Sequence, residues 1–185
     1  MTLSRWLRLL LITCTASVIG VAQSTEPPKT IAEVFDRSVS APERATLTLA
    51  EKMPESGYSF VPTRGEFKGV RTFAQLAKHI AVDNYLNGAA LLGEKPPIDT
   101  GTHENGPESI HTKAEVIKFL RDSFIYLHKG VAVVNEKNLM ERVDYPGGGR
   151  VAQLSVVTAA ISHPWDIYGQ MIEYLRMNGI DPQKN

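Results

Sequence analysis

Four long stretches in this chain repeat their apolar residues at helical spacing, and no run alternates apolar and polar residues as a half-buried strand would. That pattern limits the fold to an all-α arrangement, with a four-helix bundle as the simplest way to bury four such faces. The stretch from Ile31 to Met53 carries Val34, Phe35, Ala45, Leu47 and Leu49, interrupted by Ser40-Ala-Pro42. It is expected to form a short helix and a longer one, or one broken helix, because proline disfavours helical geometry in the residue before it. A second helix is predicted from an N-cap at Thr72 to about Leu92, with Phe73, Leu76, Ala77, Ile80 and Asn84 on one face. The third opens at Thr112-Lys-Ala-Glu115, a capping box, buries Val116, Phe119, Leu120 and Leu127, and extends to about Met140. Tyr145-Pro-Gly-Gly-Gly149 breaks the pattern, and a fourth helix runs from about Arg150 to Asn178, stopped by Gly179. Residues 94–111 are polar and rich in glycine and proline, which predicts a disordered loop or, alternatively, a cover for a site.

The first 22 residues have a basic start at Arg5 and Arg8, an apolar run from Leu9 to Val21 and a small-residue end at Gly20-Val-Ala22. This is the layout of a cleavable signal peptide, the alternative being an uncleaved N-terminal anchor. The run is short against the roughly 20 apolar residues a spanning helix needs, so no stable membrane insertion is expected after cleavage. Residues 23–29 read as a flexible leader and 30–185 as one domain, secreted or periplasmic. Cys14, the only cysteine, falls in the apolar run. A mature domain without it can form no disulfide and offers a metal only histidine, carboxylate or water. Twenty basic residues balance twenty acidic ones, which speaks against nucleic acid as a partner and leaves a small molecule. A homodimer is compatible with a bundle.

Val156, Ala160, His163, Ile167, Gln170 and Tyr174 follow steps of four and three along the fourth helix and so share one face. The apolar members imply that the face is buried, where His163 and Gln170 would each need a partner. His79 lies on the second helix in line with Leu76, Asp83 and Leu86. If the second and fourth helices pack together, His79 and His163 can point into one cavity as the start of a metal site, the competing reading being two unrelated helical histidines.

The segments Tyr58-Ser-Phe-Val-Pro-Thr63, Thr72 through Ala81, Gly93-Glu-Lys-Pro-Pro97 and His163 through Pro182 occur in an order that resembles the DinB-like family of four-helix-bundle proteins. The resemblance implies that a divalent metal, often zinc or nickel, is held by a histidine on the second helix and a His-x-x-x-His pair on the last. It also implies kinship with thiol transferases that use low-molecular-weight thiols such as bacillithiol or mycothiol. Carried over by position, His79 and His163 match two of the three ligands, and the third falls on Ile167, whose side chain cannot bind a metal. Asp83, one turn beyond His79, and Asp166, three residues after His163, are the carboxylates able to complete the site, with Gln170 as a hydrogen-bonding wall. The implied activity is metal-assisted hydrolase or thiol-transferase-like chemistry. The alternative is a non-enzymatic small-molecule-binding or scaffold bundle in which the metal is weakly held or lost.

Overall fold

A computed structural model of the chain describes residues 26–64, 68–146 and 148–184. The expected signal peptide, with Cys14, lies outside the described residues. Four helices dominate: α1 (Ile31–Lys52), α2 (Phe73–Leu92), α3 (Lys113–Val131) and α4 (Gln153–Met177). α1 and α2 each pack against α3 and α4, so α1 and α2 stand on one diagonal of the bundle, α3 and α4 on the other. Among the described residues, no helix is long and apolar enough to cross a membrane.

α2 is the most enclosed element, with Leu76, Ala77, Ile80, Ala81 and Val82 at 0–1% exposure. Its start is as expected: Thr72 Oγ1 accepts from the Gln75 backbone N–H, and the Gln75 side chain returns the bond to Thr72 N–H. Gly93 closes it in the left-handed conformation. The capping box of α3 forms as expected at Thr112 and Glu115. α2 and α3 approach closely where two glycines meet. A Cβ on Gly130 would lie 2.9 Å from Gly88 Cα, so neither position has room for a side chain.

Three expectations are corrected. α1 is one continuous helix through Pro42, not a broken one. Pro42 is itself buried, and Val39 before it and Leu49 and Ala50 after it belong to the same core, so packing on both sides outweighs the lost backbone bond. α3 stops at Val131 instead of near Met140, because Asn135 and Asn138 side chains bind the backbone of residues 133–137 in turns that compete with the helix. α4 begins at Gln153 instead of Arg150. The residues before it form a small antiparallel hairpin, β1 (Arg142–Asp144) with β2 (Arg150–Ala152), in the register Arg142↔Ala152. Carbonyls of Glu141 and Leu139 accept the first N–H groups of α4, from Gln153 and Leu154, in place of a capping side chain.

Candidate metal centre

Because α2 and α4 are neighbours, His79 and His163 meet. Their Nε2 atoms are 3.2 Å apart with the rings edge to face. Asp83 joins them from the next turn of α2, its Oδ2 2.6 Å from His163 Nε2 and 3.7 Å from His79 Nε2. One ligand atom from each residue lies within 4.8 Å of the other two. His79 is buried, whereas Asp83 and His163 are partly open to a pocket of about 490 Å³. The hydrogen bond to Asp83 is the main reason that the His163 imidazole is held above its ordinary pKa; the Asp83 and Asp166 charges add to it, while burial and Arg71 oppose it.

The donor set suits a divalent metal: two imidazole nitrogens and a carboxylate oxygen. Ligands bound at roughly 2.0–2.2 Å in a tetrahedral arrangement stand about 3.3–3.6 Å apart. The observed 3.2 and 3.7 Å edges fall just outside either end of that range, and the 2.6 Å edge is well short of it because His163 hydrogen-bonds Asp83, so small shifts of these side chains would seat an ion. His79 is also held in the useful tautomer. Its Nδ1 lies 3.1 Å from the Glu104 carbonyl, which can only accept, so Nδ1 carries the proton and Nε2 presents its lone pair to the site.

That carbonyl belongs to the polar loop expected to be disordered, which instead covers His79. Arg71 donates from Nε to Asn105 Oδ1 and from Nη2 to the His103 carbonyl, and Lys78 Nζ donates to the carbonyls of Pro107 and Ile110. The loop closes on itself where Gly106 N–H meets the Thr100 carbonyl. A Cβ on Gly101 would stand 2.1 Å from Gly106 O, so the neck needs a residue without one. His103 and Glu104 take positive φ values of 55° and 57°, an uncommon conformation for residues with side chains, and so aim the Glu104 carbonyl inward.

The other sequence candidates, and the three remaining histidines, separate. Asp166 is exposed at the pocket wall and is not one of the three clustered ligands. Ile167, at the position of the missing ligand, is 2% exposed within the core. Gln170 is corrected: it is exposed and does not line the pocket, because the inward face of α4 passes through Met171 at this level. His103 and His111 are exposed. His128, in the last turn of α3, is taken up by α1, with Nδ1 2.6 Å from Asp36 Oδ1 and Nε2 3.1 Å from Glu43 Oε2.

Three polar pocket residues escaped sequence reasoning, beside the apolar Ala159. Asn87 continues the every-fourth-residue line of His79 and Asp83, a signal present in the sequence. Ser162 and Tyr145 carried no comparable signal; Tyr145 reaches the pocket only because the hairpin turn brings it over α2, where its hydroxyl donates to Asn87 Oδ1.

A family model for the DinB superfamily matches residues 40–171. Among solved structures, a DinB-like protein from Bacillus cereus ATCC 10987 aligns with a TM-score of 0.66 at 18% identity, covering 84% of this chain and 97% of the other. A conserved protein from Enterococcus faecalis aligns with a TM-score of 0.64 at 14% identity, covering 81% and 98%. These identities speak to the fold. No curated protein matches.

Proposed function

Since this chain belongs to the DinB superfamily, we propose that it is a metalloprotein whose centre is His79, His163 and Asp83, with Asp83 serving where the resemblance would place a histidine at position 167. The observation that carries the reading is the convergence of these three ligand atoms within 4.8 Å, at the side of an open pocket. A divalent ion such as zinc or nickel would supply Lewis-acid chemistry there, polarising an electrophile and acidifying water.

The chain's own residues supply the rest. The Glu104 carbonyl holds the His79 ring in one tautomer, and Asp83 brings the negative charge that a third imidazole would lack. Asp166, exposed on the pocket wall, is a carboxylate placed to take a proton from water. This favours hydrolysis over thiol transfer: water needs no binding site of its own, and a secreted or periplasmic protein, as we infer from the N-terminal sequence, would meet few low-molecular-weight thiols. A bundle that binds a small molecule without turning it over is the second reading, and Ile167 is the residue that favours it.

The test is the metal content of the mature protein, purified without a metal-binding tag, beside His79→Ala and Asp83→Ala. Near-stoichiometric zinc or nickel that both substitutions remove is the expected result. Background metal in all three proteins after incubation with either ion would overturn the reading.

A further inference from the structure

The turn that places a carbonyl on His79 is held from both sides by one side chain, Arg71. Its Nη2 donates to the His103 carbonyl at 2.9 Å and its Nε to Asn105 Oδ1 at 2.8 Å, so the planar guanidinium bridges a turn whose middle residue is Glu104. The Glu104 carbonyl lies 3.1 Å from His79 Nδ1. The chain does not adopt such a turn unaided. His103 and Glu104 have φ values of 55° and 57°, a region that side chains disfavour and that persists only where surrounding contacts impose it. Lys78 ties the loop farther along, at the carbonyls of Pro107 and Ile110, and leaves the turn itself to Arg71. Arg71 is in turn anchored to both helices of the site: it directly precedes Thr72, the N-cap of α2, and its carbonyl accepts from the Tyr174 hydroxyl of α4 at 3.0 Å.

We propose that Arg71 is a positioning residue for His79: through its two-point hold on His103 and Asn105 it sets the Glu104 carbonyl that keeps the ring proton on Nδ1 and leaves Nε2 bare as a ligand. Its effect on metal affinity rests on the metal-centre reading, whereas its effect on the His79 ring does not. Two competing roles make opposite predictions. If Arg71 acted through its charge, it would oppose a cation, as it already works against positive charge at His163, and its removal would strengthen metal binding. A positioning role predicts weaker binding. If the Glu104 carboxylate held the ring in place of the carbonyl, Glu104 and not Arg71 would be the residue to change; its Oε2 lies 4.0 Å from Nδ1, too far for a hydrogen bond.

The test uses the full mature chain, ¹⁵N-labelled and stripped of metal with a chelator, and reads the His79 ring nitrogens by NMR at about pH 8.5, where an ordinary imidazole is neutral. The unaltered protein should carry its proton on Nδ1. Arg71→Met should shift the population several-fold toward the Nε2-protonated form, and Asn105→Ala should do so to a smaller extent. Glu104→Gln should leave it unmoved. Zinc affinity, measured separately by competition with a chromophoric chelator, should fall about tenfold in Arg71→Met. Arg71→Lys, which keeps the charge but reaches one acceptor at a time, should recover only part of that loss. An unmoved proton in both Arg71→Met and Asn105→Ala, tighter zinc binding in Arg71→Met, or a shift in Glu104→Gln as large as in Arg71→Met would each overturn the proposal. Normal zinc uptake with an unmoved proton would strike this inference alone. A proton that moves in Arg71→Met, in a protein that takes up no zinc, would strike only the metal centre.

Discussion

Asp83 stands one helical turn after His79, so in the proposed centre α2 would contribute two ligand atoms and α4 one, whereas the resemblance implies one and two. The exchange is chemically reasonable, because a carboxylate oxygen is as good a zinc ligand as an imidazole nitrogen and carries charge that lowers the electrophilicity of the bound ion. It also makes a reciprocal prediction. Asp83→Ala should lower zinc affinity by about 100-fold or more, since two nitrogen ligands remain. Ile167→His, placed one turn beyond His163, should restore a large part of that loss in the double variant, measured by competition with a chromophoric chelator. No recovery would mean that position 167, buried at 2% exposure, cannot turn an imidazole toward the site. At this scale the sequence was informative where chemistry is carried by residue type and helical spacing. His79, Asp83 and His163 were readable from those rules together with the resemblance. Gln170 was misassigned because a face drawn through six positions in steps of four and three averages over a helix that presents Met171 inward at that level.

Two elements outside the helical pattern control the site. The loop covering His79 acts through geometry at its neck and not through any ligand of its own, so Gly101→Ala should disturb it while leaving every ligand in place. A Cβ there meets the Gly106 carbonyl and strains a positive φ of 68°, and the expected result is a loss of about 10-fold in zinc affinity, within the range for groups that orient a ligand. The control is global stability, which should fall far less than for Gly130→Ala, where a methyl group would press on the α2 backbone and cost about 1–3 kcal/mol in urea unfolding. Between α1 and α3, His128 binds Asp36 and Glu43, and the Glu43 hydrogen bond, with Asp36 adding to it, raises its pKa against the opposing effect of burial. A raised folded-state pKa contributes stability that is fully present below the unfolded value of about 6.5 and fades as pH rises through the folded value. His128→Gln should therefore cost about 1–2 kcal/mol near pH 6 and much less near pH 8.5. The hairpin was not legible in the sequence, and the loop only as the alternative reading, a cover for a site. The loop's order comes from Arg71 and Lys78 reaching its carbonyls, and the hairpin's from pairing across Tyr145–Gly149, both contacts that local composition does not encode.

At the scale of the molecule, the bundle and the proposed metal centre share their two principal helices. α2 is the innermost element and α4 packs on it and on α1, so the site lies across a contact between two main components of the core. The fold was legible for the same reason: helical periodicity reports which faces must be buried, and four such faces admit few arrangements. Which pairs of helices touch was not legible, because the diagonal placement of α1 and α2 depends on side-chain fit along whole helices. An ion bound by ligands from both helices binds only the folded chain, and it must therefore raise the unfolding free energy by mass action. Free zinc at 100 times its dissociation constant should add about 2.7 kcal/mol. For a domain of this size, that corresponds to a rise in Tm of roughly 5–10 °C. His163→Ala should abolish the rise, because it removes the one ligand that α4 provides; the metal-free Tm should fall modestly near pH 6, where the Asp83-bound imidazole is charged, and change little near pH 8.5. A zinc-dependent rise that survives His163→Ala would place the bound ion elsewhere on the protein, and would separate the stability of the bundle from the centre formed between α2 and α4.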